Sequence, residues 1–215
     1  MNTILISMVL LGVLGIAIGL LLGVAGKFFA VEVDERVEQV RECLPGNNCG
    51  GCGYAGCDAL AEAIVAGKAE VNGCPVGGAA VAEKIGAILG VEAGEAVKMV
   101  AKVRCAGTCE QASVKYNYVG AQDCRQAVMV PGRGDKACSY GCLGLGSCVA
   151  ACQFGALSIK DGIASVDPEK CVACGKCVET CPNGVISLQP YDTKYQVNCN
   201  SKDKGKDVMS VCKDG

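Results

Sequence analysis

Cys171-Val172-Ala173-Cys174-Gly175-Lys176-Cys177-Val178-Glu179-Thr180-Cys181-Pro182 is the stretch on which the reading of this chain turns. Its cysteines are spaced C-x2-C-x2-C-x3-C-P, a run in which three thiolates bind one four-iron cluster and the fourth binds the cluster beside it. A shift of 29 residues puts Cys142 under Cys171, Cys148 under Cys177 and Cys152 under Cys181. The flanks follow, with Gly155, Leu157, Ser158 and Ile159 under Gly184, Ile186, Ser187 and Leu188. Two positions break the repeat: Leu145 stands under Cys174, and Gln153 stands where the second run has Pro182.

A pair of clusters needs eight thiolates, and the aligned runs supply seven. Cys138, four residues before Cys142 in a glycine-containing loop, is expected to be the eighth. Cluster A is then expected on Cys138, Cys142, Cys148 and Cys181, and cluster B on Cys152, Cys171, Cys174 and Cys177. Without Cys138, cluster A would be a three-iron species. Apolar segments 156–159 and 185–188 read as strands after each run, and 162–166 as a third after a turn at Asp161-Gly162. These elements suit the compact α+β fold of two-cluster ferredoxins over residues 134–190. The core is small, so the clusters are expected to hold it together.

A second kind of cysteine run lies upstream: Cys49-Gly50-Gly51-Cys52-Gly53-Tyr54-Ala55-Gly56-Cys57, followed by Cys74-Pro75. It supplies a third set of four thiolates, in a small helical domain expected at 33–100. Its glycines allow tight backbone turns and can aim amides at cluster sulfurs. Residues 58–66 read as a helix with Leu60 and Ile64 inward. Its positive end, beginning at Cys57, would face the anionic cluster. Val33, Val37, Val40 and Leu44 fall at helical spacing before Pro45 and Gly46 stop the element.

The composition agrees with a holder of clusters and argues against other classes. There are 18 cysteines in 215 residues and no histidine. A disulfide scaffold does not require C-x2-C-x2-C, and zinc does not explain the duplicated run with Pro182 after its fourth cysteine. A net charge of -2 provides no basic stripe for nucleic acid. With no histidine there is no acid–base pair for a nucleophilic thiol, so no substrate chemistry is expected on this chain. Lys202, Lys204 and Lys206 alternate with Asp203 and Asp207 and read as a solvated loop.

Residues 4–25 form an uncharged apolar stretch of 22 residues, enough to cross a bilayer as a helix. It exceeds a signal-peptide core in length, has no basic segment before it and no A-x-A-like site after it, which favours a retained single-pass anchor. Gly12, Gly15, Gly19, Gly23 and Gly26 line one helical face and would let a partner helix approach closely. Lys27 directly after the span is a positive-inside cue for the cytoplasmic side, although Glu32, Asp34 and Glu35 soon follow.

The Cys49 to Pro75 pattern, after one N-terminal span and before a two-cluster ferredoxin region, resembles the B component of the Rnf complex, the ion-translocating ferredoxin:NAD oxidoreductase of bacterial membranes. The resemblance covers nearly the whole chain. It implies three [4Fe-4S] clusters and a single-pass subunit of the inner, cytoplasmic membrane with its clusters on the cytoplasmic side. It implies transfer of electrons from soluble ferredoxin to membrane-embedded subunits, where transfer to NAD drives Na+ or H+ outward. No G-x-G-x-x-G unit for a dinucleotide is present, so NAD and flavin are expected on other subunits.

Several cysteines remain without a settled role. Cys105, Cys109 and Cys124 lie in an insert at 101–133 that shorter family members lack, and are candidate extra ligands for a further cluster or metal, a site that needs one more ligand and contests Cys138 with cluster A. Cys43 reads as a buried spare thiol. Cys199 and Cys212 fall in a C-terminal extension, 191–215, which in longer relatives leads into further ferredoxin runs and is expected to be cut short here. Two rival readings stand beside the main one: a membrane electron carrier uncoupled from ion pumping, and a zinc or disulfide scaffold.

Overall fold

The computed structural model describes residues 2–28, 34–94 and 97–215. Glu32 and Val33, named above, lie outside them. The chain divides into two units, Met1–Glu35 and Arg36–Gly215.

The first unit is the helix α1, Asn2–Phe28. Within it Ile4–Lys27 is long and apolar enough to cross a membrane. Leu10, Leu11, Val13 and Ile16 are exposed on different sides of it, and a Cβ added at Gly12, Gly15, Gly19, Gly23 or Gly26 would meet open space. An apolar surface of this size is unfavourable in water and suits lipid.

The second unit mixes short helices and strands. Its N-terminal part packs α2 (Glu35–Cys43), α3 (Cys57–Val65) and α4 (Gly78–Leu89) around Val40, Leu44, Leu60, Ile64 and Ile85. Helix α3 opens at Cys57, and its capping acceptor comes from a distance: Asn48 Oδ1 accepts the Cys57 amide at 2.8 Å. Arg41 at the end of α2 pairs with Asp58 in the first turn of α3 at 2.6 Å.

Downstream come β1 (Met99–Val103), α5 (Cys124–Ala127), α6 (Ser147–Ala150), β2 (Leu157–Lys160), β3 (Ile163–Val166), α7 (Lys176–Thr180), β4 (Ile186–Pro190) and α8 (Gly205–Val211). The repeat in the sequence is a repeat in the backbone. Helix α6 shifted by 29 residues falls on α7 and β2 falls on β4, and the left-handed residues recur in step: Gly146 (φ 81°) with Gly175 (φ 80°), and Gly144 (φ 73°) with Ala173 (φ 54°). Strands β2 and β3 form a hairpin whose turn residues Asp161 and Gly162 both have positive φ (48° and 73°), as a two-residue turn between twisted strands requires. Strand β4 pairs antiparallel with β1, Val103 opposite Ile186. Strand β1 carries no alternation that marks it in the sequence. Residues 202–204 are exposed loop, but Lys206 and Asp207 belong to the first turn of α8, a correction to the loop expected there.

The N-terminal cysteine loop packs directly on the ferredoxin-like region. A Cβ placed on Gly51 would lie 2.7 Å from the Cys174 carbonyl oxygen and 2.9 Å from its Cα, so only glycine permits the contact. Both obstacles are backbone and cannot swing aside. Gly51→Ala is expected to cost about 1–3 kcal/mol, as overpacking does. The check is an earlier thermal loss of visible absorbance than in Gly205→Ala, where the added Cβ meets nothing within 4 Å and the backbone lies outside the left-handed region.

Candidate iron–sulfur sites

Four cavities of about 300 to 380 Å³ are each ringed by four cysteines. All 18 cysteines are free thiols.

The first cavity is lined by Cys49, Cys52, Cys57 and Cys74, the set expected from the first run. Gly77 donates its amide to Cys74 Sγ at 3.4 Å. Burial raises the Cys74 thiol, partly offset by the Gly77 and Val76 amides.

The second cavity is lined by Cys152, Cys171, Cys174 and Cys177, the set expected for cluster B. Strand β1 contributes to it, because Ala101 donates its amide to Cys171 Sγ at 3.3 Å, and Ala156 donates to Cys152 Sγ at 3.4 Å. Burial, then the thiols of Cys171, Cys174 and Cys152, pushes Cys177 up to about 11.

The third cavity is lined by a set that differs from the one expected for cluster A. Cys142, Cys148 and Cys181 are joined by Cys124, and Cys138 is elsewhere. Leu145, in the place of the missing ligand, packs with Leu143 against α5, the short helix that starts at Cys124. An apolar side chain thus holds the element that carries the replacement thiol. Asp123 caps α5 by accepting the Arg125 amide at 2.7 Å. The Cys124 amide donates to Ser147 Oγ at 2.6 Å, and that hydroxyl donates to Asp123 Oδ1 at 3.2 Å. The Arg125 amide, with Ser147 adding to it, holds the Asp123 carboxyl below its ordinary value. Ala164 of β3 donates to Cys142 Sγ at 3.4 Å. Burial, then the thiols of Cys142, Cys124 and Cys181, pushes Cys148 up to about 12.

The fourth cavity is lined by Cys105, Cys138, Cys199 and Cys212. Of the three candidate extra ligands, Cys105 and Cys124 therefore line cavities and Cys109 does not. Cys109 is exposed, and its amide donates to the Asp161 carbonyl at 2.9 Å. Cys43 packs against the Val40 and Leu60 core, as a spare thiol would.

Each cavity has thiols close to those of the next. Cys49 of the first is among the thiols that raise Cys174 of the second, after burial. Cys177 of the second likewise adds to the shift of Cys148 in the third. Cys142 of the third donates its amide to Cys105 Sγ of the fourth at 3.3 Å.

Four thiols, apolar walls and backbone amides aimed at sulfur are what an iron–sulfur cluster needs. Comparison with known proteins agrees. Residues 44–76 match the family model described as "Putative Fe-S cluster", and residues 164–187 match the 4Fe-4S binding domain. Over 217 residues the chain is 49% identical to the B component of the ion-translocating oxidoreductase complex of Methanosarcina acetivorans, spanning all of this chain and 82% of that one. The chain belongs to the family of this B component. It is 51% identical over 213 residues to the B component of the Na(+)-translocating ferredoxin:NAD(+) oxidoreductase complex of Acetobacterium woodii, spanning 99% of this chain but 64% of that protein. It is 43% identical over 217 residues to the proton-translocating counterpart of Clostridium ljungdahlii, spanning 100% and 76%.

Cys124→Ser is expected to convert the centre at Cys142, Cys148 and Cys181 into a three-iron species, seen by paramagnetic resonance of the oxidised protein. Cys138→Ser should leave that centre's spectrum unchanged. Ser147→Ala removes the acceptor of the Cys124 amide and should make the same centre the first to lose iron on exposure to air.

Proposed function

We propose that this chain is the membrane-anchored electron-transfer subunit of an ion-translocating ferredoxin:NAD oxidoreductase. It takes electrons from reduced soluble ferredoxin and passes them to membrane-embedded subunits. The observation that carries the reading is the set of thiol-ringed cavities, in which each neighbours the next. In the first, Cys49, Cys52, Cys57 and Cys74 would hold a [4Fe-4S] cluster; in the second, Cys152, Cys171, Cys174 and Cys177; in the third, Cys124, Cys142, Cys148 and Cys181. Such a cluster supplies one-electron carriage at potentials between about -700 and +450 mV.

The chain's own residues do the rest. Buried walls such as Leu60, Leu157 and Val185 exclude water from the thiols. The amides of Gly77, Ala101, Ala156 and Ala164 stabilise negative charge on sulfur, which raises a centre's potential. The close contact of Gly51 with Cys174 joins the N-terminal domain to the ferredoxin-like one. Lys27, at the end of the span, favours the cytoplasmic side for the cysteine-rich unit. The glycine face of α1 would pack against a spanning helix of a partner subunit.

Protein purified whole and without oxygen is expected to carry at least about 12 iron and 12 sulfide per chain, with no zinc. Zinc without sulfide would overturn the reading and leave a scaffold. A second measurement separates the subunit from a solitary carrier. Replacing Gly15 and Gly19 together by leucine should strongly reduce co-purification with multi-span partners while the iron content stays the same. Unchanged recovery of the partners would show that this face is not the docking surface.

A further inference from the structure

The fourth ring of thiols is assembled from four separate parts of the chain. Cys105 follows β1, Cys138 lies before the first ferredoxin-like run, Cys199 follows β4, and Cys212 ends α8. Backbone hydrogen bonds tie these parts together: Ala106 donates to the Asn198 carbonyl (2.9 Å), Ser113 to that of Val211 (2.9 Å) and Ala137 to that of Ser113 (2.7 Å). Residues 191–215 are thus folded against the insert. Two glycines bring the thiols close to one wall. A Cβ at Gly141 would lie 3.4 Å from Cys138 Sγ and 3.5 Å from Cys105 Sγ, and one at Gly107 would lie 3.4 Å from Cys212 Sγ and 3.6 Å from Cys105 Sγ.

The wall of the same cavity includes Lys136, a lysine only 5% exposed. Its ammonium donates to the carbonyls of Gly107 (2.8 Å) and Gly162 (2.7 Å). Both acceptors are neutral, and among the described residues no carboxylate forms an ion pair with it. A buried cation without a counter-charge is costly, and proteins rarely retain one. Four thiolates around a four-iron cluster form a net anion, which supplies that counter-charge from this ring and from the third, whose Cys142 the Lys136 charge also lowers.

We infer that Cys105, Cys138, Cys199 and Cys212 form a fourth iron–sulfur site, which takes a [4Fe-4S] cluster with Lys136 as its buried counter-ion. The inference rests on the reading of the other three rings as cluster sites and extends their set by one. Cys105, which accepts the Cys142 amide, is its link to the third centre.

The test is made on the whole chain, purified without oxygen. Iron and sulfide are expected at about 16 each, and a fully reduced sample should integrate to about four spins, one per cluster. Cys199→Ser or Cys212→Ser should each remove about four iron and four sulfide or leave a three-iron signal, whereas Cys109→Ser should remove none. Lys136→Gln should keep the cysteines but shift the midpoint of at least one centre to lower potential, because a positive charge beside it is lost. About 12 iron and three spins in the unaltered protein, or zinc in place of the missing iron, would overturn the fourth site while leaving the other three standing. Absence of sulfide altogether would instead sink the reading of all four rings.

Discussion

Thiols occupy positions in this protein that aliphatic side chains would hold elsewhere. In the ferredoxin-like region Cys142, Cys148 and Cys177 are buried together with Ala101, Leu157, Ala164, Val185 and Ile186. Among the described residues the largest fully buried side chains are Leu60, Ile85, Val40, Val100 and Val185, none of them aromatic. Such a core buries little apolar area and yields correspondingly little folding free energy. Burial raises several of these thiols, so as free groups they remain protonated at neutral pH. Metal binding must expel those protons, and its free energy becomes folding free energy. Helices α5, α6 and α7, of four or five residues, are too short to stand alone. Each exists as a support for one or two cysteines.

That dependence explains which parts of the structure were legible in the sequence. The 29-residue repeat shows α6 against α7, β2 against β4 and the matching left-handed turns, because cluster binding fixes both ligand spacing and the backbone between ligands. The cysteine loop ending at Cys57 and the helix that follows it are legible for the same reason. Strand β1 is not, because its partner β4 lies more than 80 residues away and Met99–Val103 has no periodic pattern. Helix α4 also escapes notice, since it starts after Gly77 with no capping side chain to mark its beginning.

The eighth ligand of the ferredoxin pair shows the limit most clearly. Cys138 is four residues from Cys142 and Cys124 is eighteen, so proximity along the chain points to Cys138 whereas the lining of the cavity points to Cys124. What decides the matter is packing. Leu145 needs an apolar neighbour, α5 provides one through Ala127 and Val128, and the helix start then delivers Cys124 to the cavity. The one sequence signal for this was Asp123, an N-cap residue directly before a cysteine, which marks a helix start aimed at a defined place. Nothing in local spacing shows that a ligand can be traded for a leucine and recovered from an insertion.

The trade also changes what the insert is for. Once Cys124 serves the third cavity and Cys105 stands beside Cys142, residues 101–133 cannot be peripheral, because they line two adjacent centres. The bridge between Ala112 and Cys212 then draws the C-terminal segment onto the same surface. On the proposed assignment each interior ring has a neighbour on either side, so loss of a supporting contact such as the Ser147 hydroxyl under Cys124 would act on transfer through the whole set and not only on the centre it touches.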